Sequence, residues 1–337
     1  MLTITLSKIL YQVTLAGPLQ VESGNIFSSE AKDLVAASGS TIYVYRPAND
    51  TYKPAAVFNL GQPILSLKVG FSSFGQNIIF AGTEDRIIAL ANIGGVLSQL
   101  WQTEPEPGAN IIGITVTDLD GDGREELAAI ASGNDTLYVY LLTGENITAL
   151  RPQLLSIRQL PGSPRYITAF SPEPNKPKLL AIAYGENNAS AIVTYFLTET
   201  GFDEGPGLVN LPYGILGLAA ANLLPNPGEE LATAGNDGLV RIYTANNQLQ
   251  LGMVTNNLGT VVSALTAQSV AEERSLLIAG SPAGFVFGFF SPGLTNEPDW
   301  VVKAAGPIND LAIISQDRFI VGTNNGILQV WEVKYPF

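Results

Sequence analysis

LATAGNDGLVRIY (231–243) reads as a short apolar strand, a tight turn of small residues, and a second strand ending in an aromatic residue. The same cassette recurs as LVAASGSTIYVY (34–45), IIFAGTEDRIIAL (78–90), LAAIASGNDTLYVY (127–140), LLAIAYGENNASAIVTYFL (179–197), LLIAGSPAGFVFGF (276–289) and FIVGTNNGILQVW (319–331). The turn glycines Gly39, Gly82, Gly133, Gly185, Gly235, Gly280 and Gly322 lie 43, 51, 52, 50, 45 and 42 residues apart. Seven units of this length, none able to bury its own faces, predict an all-β, seven-bladed β-propeller of four-stranded antiparallel blades. The repeat overrides the prior of two or three domains for 337 residues and predicts one domain over 1–337.

Each cassette supplies the two middle strands of a blade. In blade three the inner strand is expected at 111–117, the central hairpin at 127–131 and 136–142, and the outer strand at 154–160. In blade four the strands are expected at 165–170, 179–184, 190–197 and about 207–211, with 198–210 otherwise read as a loop. The last blade offers three strands, at 307–314, 319–322 and 327–334, whereas surplus alternating β-branched sequence precedes the first cassette at 3–15. Residues 3–15 are therefore expected to supply the fourth, outer strand of the last blade, closing the ring and removing free sheet edges. The turns GNDG (235–238), TNNG (323–326) and SGND (132–135) suit tight hairpins that need positive φ, so their glycines and asparagines are read as structural. The strand-ending aromatics Tyr45, Tyr140, Tyr243, Phe289 and Trp331 are expected to pack between blades.

Composition narrows the chemistry. With 17 basic against 30 acidic residues and a net charge of -13, no basic patch is available for nucleic acid or an anionic membrane surface. Cysteine and histidine are both absent, which removes thiol nucleophiles, serine–histidine triads and histidine-ligated zinc. No stretch is long and apolar enough for a transmembrane helix, so no membrane insertion is expected. Location stays open between the cytoplasm, if Met1 is native, and the exterior, if a secretion signal was removed.

One loop carries a chemical motif. Residues 118–126 read DLDGDGREE, with acids at loop positions 1, 3, 5 and 9. Asp118, Asp120 and Asp122 can turn inward on a tightly curved chain, Gly123 permits the bend, the Arg124 carbonyl can point to the same centre, and Glu126 completes the shell. Hard oxygen ligands at this spacing suit one structural calcium ion better than magnesium, which wants a smaller and stricter octahedron. The alternative is an acidic surface turn that holds no metal. Position 12 is Ala129 rather than glutamate, so the loop is not a helix–loop–helix calcium site.

DLDGDGREELAAIASG (118–133) resembles the calcium loops of the integrin-α-like, or FG-GAP/VCBS, repeat propellers, which lie between the first and second strands of a blade. The resemblance implies an adhesion, ligand-binding or scaffold module in which calcium rigidifies the blade. Other blades depart from the pattern: Asn222 to Glu230 (NLLPNPGEE) keeps the frame without the aspartates, and Asn25 to Asp33 (NIFSSEAKD) is weaker still. GTNNGILQVW (322–331) and GNDGLVRIY (235–243) resemble WD40-like or quinoprotein-like propellers less specifically.

Three functions compete. The first is a non-enzymatic protein-binding or scaffold propeller whose partner is a protein, the chain itself included. In it, exposed Trp101, Phe202 and Trp300 gathered into one patch would mark an interface. The second is a carbohydrate-binding propeller with aromatic platforms between blades. The third is a carboxylate-dependent glycosidase or lyase, with Glu84, Asp85, Asp135, Glu186, Asp237 and Asp310 as the acids that would have to converge on one cleft.

Overall fold

The second strand of a blade is apolar on both faces, a pattern that only a doubly covered strand can satisfy. In the computed structural model, Ile78–Gly82, Glu126–Ala131, Leu179–Tyr184 and Glu230–Gly235 are buried at every residue. The structure describes residues 6–27, 30–71, 73–174, 176–185, 189–198, 201–271, 274–291 and 294–334.

The strands form seven antiparallel sheets, each running outward in chain order from the inner strand. The last is completed from the other end of the chain: Leu6–Thr14 pairs antiparallel with Ile327–Lys334, from Leu6 opposite Lys334 to Thr14 opposite Ile327. The ring is thus closed by the N-terminal strand, as its alternation predicted. Residues 3–5 of the expected strand lie outside the described residues.

The core is divided among the seams. Seven clusters of buried side chains each take residues from two adjacent blades, and one of them joins Ile320, Leu328 and Val330 of the last blade to Leu19, Val21 and Tyr45 of the first. Tyr45, Tyr243, Phe289 and Trp331 are buried in these seams and Tyr140 is half-buried there. Trp101 and Trp300 are buried as well, and half-buried Phe202 packs edge-on against Tyr195. The three therefore form no exposed patch.

Blade four departs from the expected scheme. Its outer position is filled by two short strands, Gly201–Glu204 and Leu208–Leu211, both paired with Ser190–Thr198. The first lies inside the segment read as a loop. The break falls at Gly205-Pro206-Gly207, where proline removes a ladder donor and a Cβ on Gly205 would meet Thr194 Oγ1 at 2.4 Å.

The cassette glycines need a second correction. Gly39 and Gly185 have positive φ, but the other five do not; the left-handed positions in the turns are instead Asp135, Gly238 and Gly326. Gly322 shows the actual reason for its type: a Cβ there would lie 2.8 Å from Val21 Cγ1 and 2.9 Å from the Leu19 carbonyl in the neighbouring blade. Gly82, Gly280 and Gly322 end a buried strand where the next blade's inner strand passes too close for a side chain, whereas a Cβ on Gly133 would meet the Gly108 carbonyl of the segment leading into its own blade, and one on Gly235 would meet Asp237, Arg241 and Tyr213 of its own blade.

Candidate metal centre in blade three

The inner strand Ile111–Thr117 and the buried strand Glu126–Ala131 are joined by the acidic loop. Two glycines in the left-handed region, Gly121 (φ 82°) and Gly123 (φ 86°), curl it tightly. Asp118 accepts the Gly121 and Gly123 amides at 2.7 and 2.9 Å, and Asp120 accepts the Asp122 amide at 3.1 Å. Each carboxylate oxygen keeps a second lone pair for another ligand.

Glu126 is fully buried at the base of the loop. Its Oε2 accepts the Leu119 amide at 2.8 Å, and its Oε1 is buried without a hydrogen-bond donor. Oxygens of Asp118, Asp120 and Glu126 gather within 4.8 Å of one another. Burial pushes the Glu126 carboxyl up to about 7, the charges of Asp120, Asp122 and Asp118 add to the rise, and the Leu119 amide opposes it. Asp118, Asp120 and Glu126, the last with an oxygen that receives no hydrogen bond from the described residues, together make a candidate cation site of hard oxygens.

Asp122 and Arg124 behave differently from the sequence expectation. Asp122 is not in the gathered group: its Oδ2 accepts Arg124 Nε at 2.8 Å and also the Arg124 Nη2, while its Oδ1 accepts the Arg124 amide at 2.8 Å. The side chain of Arg124, rather than its carbonyl alone, is therefore engaged at the loop.

The same frame in two other blades shows what Glu126 lacks. In blade one, buried Asp33 accepts the Ile26 and Phe27 amides at 3.0 and 2.7 Å, and its other oxygen, which like Glu126 Oε1 receives no hydrogen bond from the described residues, has the Arg46 charge facing it, with Nε at 3.8 Å. In blade five, buried Glu230 accepts the Leu223 and Leu224 amides at 2.7 and 3.0 Å, and its other oxygen accepts Asn226 Nδ2 at 2.6 Å. One carboxylate oxygen always caps the loop. A guanidinium faces the second oxygen in blade one and an amide in blade five, whereas in blade three the place of Asn226 is taken by Asp122, which has no proton to give. The sequence reading lined up these frames but weighed only the missing aspartates; the signal it passed over is the acid retained at the last position of all three.

A cavity of about 390 Å³ runs down the axis, lined by the inner strands. Of the six acids considered for catalysis, Asp310 lines it. Its oxygens accept the Val21 amide of the first blade and its neighbour Leu311's amide, at 2.9 and 2.8 Å, so it braces the closing seam. Burial raises Asp310 to about 7, with Glu22 adding to the rise, against the two amides and Lys68. Glu22, beside it in the cavity, is paired with Lys68 at 2.7 Å. Asp85 and Asp237 are paired with Arg86 and Arg241 at 2.6 and 2.5 Å, Asp135 occupies a left-handed turn position, Glu84 is exposed, and Glu186 lies outside the described residues.

No protein-family model matches the chain, and no curated protein matches it. Among solved structures it is similar to the crystal structure of BBS1N in complex with ARL6DN soaked with mercury, at 13% identity and a TM-score of 0.69, covering 98% of this chain and 97% of that one. The lead-soaked crystal of the same complex gives 13% identity and a TM-score of 0.68 over the same shares. At this identity the likeness concerns the fold, and it agrees with the seven-bladed ring.

Proposed function

We propose that the chain is a non-enzymatic protein-interaction propeller of the FG-GAP/VCBS type, with one calcium ion held by the blade-three loop. The observation that carries the interaction reading is the full-length likeness to a propeller whose crystal contains a protein partner. The carboxylates favour it over a hydrolase: Asp85 and Asp237 are committed to their own arginines, and Asp310 to backbone amides. The carbohydrate reading draws no support from the strand-ending aromatics, which lie in the seams.

The contact face with the strongest chemical character lies over blades two and three. Glu84, Glu104 and Glu106 are exposed there and Asp135 is half-buried, joined by Glu84 O to the Asn110 amide (2.8 Å) and Asp85 O to the Glu106 amide (2.7 Å). A partner with a basic surface fits it, in keeping with the chain's charge of -13. Glu106 also binds Tyr138 and Asn134, so the charge-reversal variant is Glu84→Lys with Glu104→Lys. Proteins crosslinked to the wild type are identified, and their binding is then measured against both forms across a salt series. The variant is expected to lose at least ~10-fold in affinity, chiefly through slower association, with the wild-type advantage shrinking as salt rises. Equal binding to both forms at every salt concentration would place the contact elsewhere.

The calcium reading is carried by the orphaned Glu126 oxygen, for which the matching oxygens in blades one and five face groups of their own. Calcium added to metal-stripped protein is expected to raise the melting temperature of the wild type and leave Asp120→Ala unmoved, with magnesium the weaker of the two ions. Equal shifts in the two proteins would remove the site from this loop.

A further inference from the structure

We propose that Arg124 is a built-in competitor of the cation, holding Asp122 out of the ligand group and so lowering the affinity of the loop for calcium. The inference rests on the calcium reading above and deepens it, by naming a residue of the loop that tunes how tightly the ion is held.

The spacing of the loop supplies four carboxylates, yet only Asp118, Asp120 and Glu126 converge. The fourth, Asp122, is gripped side-on by the Arg124 guanidinium through Nε and Nη2. Both donors converge on one oxygen, Oδ2, while Oδ1 accepts the Arg124 amide; the planar pair of N–H groups is a contact that an ammonium does not reproduce. A cation recruiting Asp122 must first break that grip, and the energy lost is subtracted from its affinity. The guanidinium can leave freely, because the Arg124 side chain is 62% exposed and water replaces its partner. The buried acceptor Glu126 Oε1 supplies the opposite drive, since none of the described residues donates to it. The loop thus holds two competing cations in prospect: a resident guanidinium on its outer acid and a divalent ion on its inner ones.

The neighbouring loops are placed to feel the exchange. Leu119, whose amide caps Glu126, accepts the Lys178 amide of blade four through its carbonyl at 3.1 Å. Ser171, at the start of that blade-four loop, exchanges two bonds with Glu229 of blade five, at 2.7 and 2.8 Å. The blade-three loop is thus bonded to one end of the blade-four loop, whose other end is bonded to blade five.

The test is calorimetric titration of metal-stripped full-length protein with calcium, for the wild type, Arg124→Gln, Arg124→Lys, Asp122→Asn and the Asp122→Asn/Arg124→Gln double variant, with folding checked by circular dichroism. Arg124→Gln is expected to bind calcium ~3- to 5-fold more tightly than the wild type, the range an exposed ion pair spans. Arg124→Lys, which keeps the charge but not the fork, is expected to fall between them. In the Asp122→Asn background the gain from Arg124→Gln is expected to fall to less than half, because the carboxylate for which the two cations compete is gone. Unchanged or weaker binding by Arg124→Gln overturns the proposal while leaving the calcium site standing. An undiminished gain in the Asp122→Asn background also overturns it, since Arg124 would then act as a distant charge. Absence of calcium uptake by every variant removes the calcium reading and the proposal together.

Discussion

Removal of residues 1–14 is expected to lower the melting temperature by roughly 4 °C and to drive the protein toward aggregation. Leu10, Tyr11 and Val13 pack half-buried on the seam between the last and first blades, and Tyr11 sets its ring 5.5 and 6.1 Å from those of Tyr45 and Tyr52. At about 1 kcal/mol for each half-buried side chain, the lost burial is about 3 kcal/mol. With an unfolding entropy of about 2.1 cal/mol/K per residue, that corresponds in a domain of this size to about 1.4 °C per kcal/mol. The same truncation strips the partner from Ile327–Lys334 and leaves an eight-residue apolar strand with a free edge, a template for association with other chains. Differential scanning fluorimetry and size-exclusion chromatography read both effects. A truncated protein that melts with the wild type and elutes as the same species would show that ring closure by this strand contributes nothing to stability.

Gly133→Ala is expected to destabilise the protein by about 3–5 kcal/mol. A Cβ at Gly133 would sit 1.7 Å from the Gly108 carbonyl oxygen, and both partners are backbone. Relief requires moving a segment pinned by the Gly133 amide to Ala109 O at 2.8 Å and the Ser132 amide to Asn110 O at 3.1 Å. Gly39→Ala is the matched control: nothing lies within 4 Å of the added Cβ, and only its φ of 57° resists the change. That should cost about 1 kcal/mol. Urea denaturation of the two variants separates the causes. Equal losses would mean that backbone conformation, and not the close approach of the Gly108 carbonyl, selects glycine at position 133.

The contrast between these glycines marks where sequence reading stopped. A glycine at the end of an apolar run marks a blade whatever its role, so the seven glycines and the six intervals between them located every blade. Its φ and its distance to neighbouring segments are tertiary facts that no local pattern encodes, which is why Gly322 and Gly133 were read as turn residues. The closing strand was legible because the alternation in Leu6–Thr14 has only one shortage to fill, the missing strand of the last blade. Of the outer position of blade four only Leu208–Leu211 was legible, near the expected 207–211; Gly201–Glu204 was not, because Gly205-Pro206-Gly207 separates the two and local rules read such a break as a loop. In the acidic loop, spacing picked out Asp118, Asp120 and Glu126 correctly as neighbours. It could not foresee that Arg124 turns back onto Asp122, since that depends on the curl imposed by Gly121 and Gly123.

The closing strand also sets a timetable. Leu6–Thr14 leaves the ribosome well before its partner, which begins at Ile327, about 300 residues later. At translation rates of roughly 5–20 residues per second, the first strand waits roughly 15–60 s for a mate. Blades one to six can fold meanwhile as their hairpins emerge, because each is built from consecutive sequence. The waiting segment, LSKILYQVT, carries a single charge, Lys8, among its apolar residues. The ring therefore passes through a long open stage during synthesis, and completes itself only when the newest strand reaches the oldest.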